Sequence, residues 1–183
     1  MYFPPVASPH MLRPFDPRQL GVWADPSEVV VYAVMGNRYA GPTLLVHTPT
    51  LMQRLAQLSP SITTLVFLDE PFPAHSTVER VDRMLDQFRA REVDALAGYV
   101  GATEALKRVD AGRALSSVDR SMVIAVSSPL VVSCAPLELA LRELDDIPMW
   151  NCPFLLIARA GGSAGVFEDR LERETTRSEK DAE

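Results

Sequence analysis

The stretch Ile62-Thr63-Thr64-Leu65-Val66-Phe67-Leu68 constrains the fold more than any other part of the chain. It carries no charge and is rich in β-branched and large apolar side chains, the pattern of a strand covered on both faces rather than one. Such a strand needs helices on each side, and the sequence supplies them in step. Downstream, Ser76 and Glu79 stand at capping-box spacing, and Val78, Val81, Leu85 and Phe88 mark one side of a helix whose other side carries Arg80, Arg83, Asp86 and Gln87. Val93 to Val100 then reads as a further strand. Upstream, Glu28 to Val34 is a buried strand ending near Gly36, and Thr48-Pro49 opens a helix through about Gln57. Strand, helix and strand in this order predict an α/β fold with a mostly parallel, Rossmann-like sheet, flanking helices and right-handed crossovers. A strand at Met122 to Val126, a helix started by Pro136 and a last strand at Phe154 to Ala158, ending in Gly161-Gly162, complete the expected order.

The 183 residues suffice for one sizeable core. Six prolines between Pro4 and Pro26 forbid regular helix there, so the expected organisation is a Pro-rich arm at 1–26, a single domain at 27–165 and a charged tail at 166–183. No apolar run reaches the roughly 20 residues that span a bilayer, so a membrane is not an expected partner. Met1-Tyr2-Phe3-Pro4-Pro5 lacks the basic start of a secretory signal, and two cysteines, Cys134 and Cys152, are too few for a disulfide framework. The expected location is the cytoplasm. A net charge of −6 argues against a nucleic-acid partner, whereas a local basic patch would suit a phosphorylated small molecule.

Three features bear on chemistry. Asp69 and Glu70 follow the buried run directly, at a strand end where α/β sheets bind ligands; they read either as a metal or sugar-hydroxyl site or as a simple turn before Pro71. Cys134 precedes a helix, which leaves open a thiol activated by the helix N-terminus or an inert buried one. His10, His47 and His75 stand apart from other ligand-type residues, giving zinc or a Ser-His relay little support. The third feature is Glu104 to Ser121, where Leu106 to Val109 and Ala114 to Val118 flank Asp110-Ala111-Gly112-Arg113. The glycine turn predicts a β-hairpin, and its charged strands cannot bury themselves, so it either stays solvated or lies against its own domain or a partner chain.

The run "ALKRVDAGRALSSVDRSMVIAVSSP" resembles the arm and following strand of the 2-C-methyl-D-erythritol 4-phosphate cytidylyltransferases. That pattern has Lys-Arg, a glycine turn, Val/Leu-Asp-Arg and a strand ending Thr-Pro-Gln. Upstream, "LVFLDEPF" and "STVERVDRML" are similar to the family's strand end and next helix, so the likeness covers about residues 62 to 140. It implies a nucleotidyltransferase-like fold with a projecting hairpin arm, a homodimer through residues 104–121, and CTP or a sugar phosphate as ligand. It also implies that Arg120 grips the substrate phosphate with Ser128, Lys107 and Arg108 nearby, and that Asp69 stands near magnesium.

The family's glycine-rich loop, which cradles the CTP triphosphate, has no repeat here. "AVMGNRYAGPTLL" comes nearest, with Gly36, Arg38 and Gly41 but no lysine, which makes Arg38 the candidate nucleotide contact. Ala105 replaces the threonine before Lys-Arg, Leu130 replaces the glutamine after proline, and no lysine occurs between Lys107 and Lys180. Nucleotidyl transfer depends on cations placed against charge developing on the phosphates. Two readings follow: an active enzyme moving CMP from CTP, with magnesium as cofactor, or a non-catalytic dimeric binding module. The missing cradle favours the second.

Overall fold

A computed structural model of the chain describes residues 12–14, 27–34, 44–69, 74–101, 106–110, 113–119, 121 and 123–168. In chain order the elements are β1 (Leu12–Pro14), β2 (Val29–Val34), β3 (Val46–His47), α1 (Thr48–Leu55), β4 (Thr64–Asp69), α2 (Ala74–Arg91) and β5 (Ala95–Gly101). They continue with β6 (Leu106–Asp110), β7 (Arg113–Val118), β8 (Ile124–Ser133), α3 (Cys134–Glu143), β9 (Trp150–Asn151), α4 (Pro153–Arg159) and β10 (Ala164–Glu168).

The main sheet has the order β1-β2-β4-β8-β5-β10. β2 pairs parallel with β4 and β10 with β5, while β8 runs against both β4 and β5. Four of the six strands thus point one way, β1 and β8 the other, which is the mostly parallel α/β sheet expected. β1, from the Pro-rich arm, lies antiparallel on β2 and buries Leu12.

The strands are apolar throughout because alternate residues enter different cores. Val29 and Val31 of β2, Val66 and Leu68 of β4, Leu96 of β5 and Val131 of β8 meet Val81, Met84, Leu85 and Phe88 of α2. Tyr32, Leu65, Phe67, Ala97, Leu130 and Val132 belong to the other face, with Leu51 of α1, Leu137 of α3 and Leu156 of α4. Burying side chains of this size stabilises by about 1.5–3 kcal/mol each. Tyr32 and Phe67 stack with ring centroids 5.8 Å apart, and removal from water pushes the Tyr32 hydroxyl pKa up.

Two expectations need correction. The moves from β2 to β4 and from β4 to β5 run in the same direction across the sheet, yet α1 and α2 lie on opposite faces. The two crossovers therefore have opposite hand, and only one is right-handed; packing of Leu51 and Leu55 with α3 and α4 fixes the side that α1 takes. The segment Phe154 to Ala158, expected as a strand, lies within α4. Pro153 suits the first helical turn, and Phe154, Leu156 and Ile157 are buried while Leu155 is exposed, a helical stripe rather than alternation. The last strand comes after Gly161, whose φ of +84° ends the helix, and β10 runs through Glu168.

The helix makes a distinct prediction. Leu156→Ala and Ile157→Ala should each cost about 2–5 kcal/mol by urea unfolding, and the exposed Leu155→Ala below about 1. A strand would turn one of the adjacent pair outward and spare it.

Candidate functional site

The carboxyl ends of β2, β4 and β5 lie at one edge of the sheet, where Asp69 stands opposite Val34 in the β2–β4 ladder. β8 makes this edge unusual. Its pairing with β4 runs from Thr64↔Ser133 to Phe67↔Leu130, whereas its pairing with β5 continues to Gly101↔Ile124. Leu68 and Asp69 therefore extend past the last β4–β8 pair, leaving an unpaired gap, or cleft, in the ladder between β4 and the first half of β8. Such a divergence at the carboxyl ends is where α/β sheets hold ligands.

A bulge marks the point of divergence. Leu130 faces Ala97 and Ser127 faces Gly98, so Ser128 and Pro129, joined by a cis peptide bond, are two extra residues in β8. Bulges bend the strand that carries them, and proline is tolerated there because the ladder needs no donor from it. The partner position must be small. A Cβ on Gly98 would lie 2.9 Å from Ser127 Oγ and 3.3 Å from the carbonyl oxygens of Ser127 and Ser128. Across the α2 face, Arg80 Nη2 donates a hydrogen bond to the Ser128 carbonyl oxygen at 2.9 Å.

β6 and β7 pair with each other as a separate two-stranded antiparallel sheet. Lys107 pairs with Ser117 and Arg108 with Ser116, and the register shifts between Arg108 and Val109. Leu115 is 59% exposed, and the described side chains at 110, 113, 116 and 117 also face solvent, so this hairpin is not folded into the core. Just beyond it, Asp119 Oδ1 accepts hydrogen bonds from Ser121 Oγ at 2.8 Å and from the Ser121 backbone N–H at 3.0 Å. These two bonds hold the exposed Asp119 carboxyl below the usual range.

The six residues singled out from sequence separate as follows. Ser128 is half-buried at the bulge, the Asp69 backbone ends β4, and Lys107 and Arg108 occupy β6; the side chains of these last three lie outside the described part, as do Arg38 and Arg120 entirely. Among the described residues, no three His, Cys, Asp or Glu side chains gather as a metal site, and no chemical step is assigned to magnesium. Arg80 was not legible as a site residue, because nothing in its spacing distinguishes it from the solvent face of α2.

Other candidates fall away from the cleft. A hollow of about 550 Å³ lined by Asp94, Pro136, Leu139, Arg142 and Ile157 opens at the amino-end edge of the sheet. His47 is engaged by Thr50 Oγ1 at 2.8 Å and sits 5.0 Å from the Trp150 ring. Cys134 and Cys152 are buried free thiols. Burial first, and then the charge of Glu138, push the Cys134 thiol up to about 11, the direction opposite to that of an activated thiolate. None of the described helices is long and apolar enough to cross a membrane.

The fold is similar to that of several solved enzymes. A 4-diphosphocytidyl-2C-methyl-D-erythritol synthase from Anaerococcus prevotii matches with a TM-score of 0.55 at 12% identity over 69% of this chain and 58% of that one. A 2-C-methyl-D-erythritol 4-phosphate cytidylyltransferase from Thermus thermophilus gives 0.52 at 16% over 69% and 60%. Its namesake from Francisella tularensis gives 0.51 at 14% over 67% and 58%. The chain thus has the nucleotidyltransferase-like α/β fold of these enzymes while spanning about three-fifths of their length. No family model and no curated protein matches the sequence.

The raised thiol has a direct check. At pH 8 the folded protein should react with iodoacetamide at Cys134 about a hundredfold more slowly than the urea-unfolded chain, because the thiolate fraction falls about tenfold per pH step below the pKa. Mass-resolved labelling at that rate or below fits; equal rates would contradict the burial.

Proposed function

We propose that this chain is a divergent 2-C-methyl-D-erythritol 4-phosphate cytidylyltransferase-like protein that binds without catalysing, as a dimeric binding or regulatory module in the cytoplasm. The observation that carries this reading is the separate β6–β7 hairpin, bearing Lys107 and Arg108, inserted between β5 and β8 of a cytidylyltransferase-like sheet. On this reading 27–165 is the functional domain and the hairpin arm at 104–121 reaches a second copy. Arg120, Lys107, Arg108 and Ser128 hold a sugar phosphate through charge-assisted hydrogen bonds. The short segment between Val34 and Leu44, with Arg38 and no lysine, supplies no triphosphate cradle comparable to that of an active enzyme. Since each 1.36 kcal/mol lost from transition-state binding is tenfold in rate, absent cations abolish turnover while leaving a ground-state grip on the acceptor.

Asp69 favours the second reading, an active enzyme moving CMP from CTP to a sugar-alcohol phosphate in isoprenoid precursor synthesis with magnesium at Asp69. Its position ends β4 beside the cleft, where such an ion would serve.

Light scattering should give twice the 20.2 kDa chain mass for the wild type, and the chain mass for Arg108→Glu combined with Arg120→Glu. With CTP, magnesium and 2-C-methyl-D-erythritol 4-phosphate, pyrophosphate release should not rise above the protein-free rate. A monomeric wild type would sink the arm, and protein-dependent pyrophosphate release would restore the enzyme.

A further inference from the structure

We infer that Arg80 is a positioning residue for the cleft, holding Ser128 where β8 turns away from β4. The inference rests on the reading that Ser128 helps hold a sugar phosphate. Three observations carry it. Ser128 and Pro129 are the extra residues of the bulge, so the Ser128 carbonyl lies outside the regular ladder and needs a donor from elsewhere. Arg80 of α2 is that donor, with Nη2 2.9 Å from the oxygen across 48 residues of sequence. The third is Gly98, whose missing Cβ lets Ser127 Oγ and the Ser127 and Ser128 carbonyl oxygens take the space a side chain would fill, so the bulge sits close against β5.

The bulge thus sits close against the bare backbone of Gly98 on β5 and is held by a cation on α2. The Ser128 hydroxyl oxygen lies two bonds from the Cα whose carbonyl Arg80 holds, so fixing the carbonyl fixes the origin of the hydroxyl. A guanidinium suits this task because it keeps its charge at every physiological pH and its fork has a defined geometry. Lysine at position 80 can reach the oxygen with a point charge but lacks the fork. Methionine keeps the apolar stem and loses the donor.

The experiment uses the full chain as wild type, Arg80→Met, Arg80→Lys, Ser128→Ala and the Arg80→Met/Ser128→Ala double variant. Circular dichroism first confirms folding. Calorimetry with 2-C-methyl-D-erythritol 4-phosphate should show Arg80→Met weakening binding about tenfold, much as Ser128→Ala does, with the double variant no weaker than Ser128→Ala alone and Arg80→Lys recovering most of the loss. Wild-type affinity in Arg80→Met, or losses that add fully in the double variant, would overturn the positioning role. Amide exchange by NMR at Ser127 and Ser128 separates this inference from the functional reading. If wild type binds no sugar phosphate, that reading fails, and exchange about tenfold faster in Arg80→Met but near wild type in Arg80→Lys still supports the clamp. Unchanged exchange in both variants overturns it.

Discussion

β8 is the strand on which the rest of the molecule depends. It runs against β4 and β5 and joins them, and its residues Leu130, Val131 and Val132 alternate between the two cores, so that one strand ties both layers of helices together. At its end, Ser133 N–H bonds to the Asp94 carbonyl oxygen and Cys134 N–H to the Thr63 carbonyl oxygen, both at 2.8 Å. That closes the sheet at the amino ends of the parallel strands. At the other edge β8 leaves β4 after Leu130, and the sheet is open. The strand is thus paired with both neighbours at one end and with β5 alone at the other.

The same arrangement explains why the cleft borders groups from separate parts of the chain. Asp69 arrives from β4, Ser128 from the bulge, and Arg80 from α2 behind the sheet. Each is placed by an element whose apolar face is fixed in a core. The hairpin has no such anchor. Its described side chains are largely exposed, and a two-stranded hairpin of this kind is marginal by itself.

Much of this was legible in the sequence because burial on both faces leaves a plain mark. The runs that became β2, β4 and β5 are continuous in apolar character, and the α2 stripe at Val81, Leu85 and Phe88 repeats at helical spacing. The hairpin was legible from its glycine turn and flanking charges. Phe154 to Ala158 misled because a short apolar run fits a strand or a buried helix equally, and only Pro153 argued for the helix. β10, Ala164-Gly165-Val166-Phe167-Glu168, is an edge strand in which Val166 and Phe167 are half-buried, and it carries little periodic signal. Arg80 was out of reach for a different reason: its partner is a backbone carbonyl exposed by a bulge, and no spacing along α2 encodes where that bulge falls.

On the proposed function, a grip on the acceptor phosphate is kept without a nucleotide cradle. Phosphate recognition needs a few charge-assisted donors, which an arginine fork and a serine supply, whereas transfer needs cations aligned along a whole triphosphate. The two requirements are separable. Parallel calorimetric titrations of the wild-type protein, one with 2-C-methyl-D-erythritol 4-phosphate and one with CTP and magnesium, test that separation most directly. The account predicts saturable heat with the sugar phosphate and none with CTP up to about millimolar concentration; tight CTP binding with no response to the sugar phosphate would contradict it.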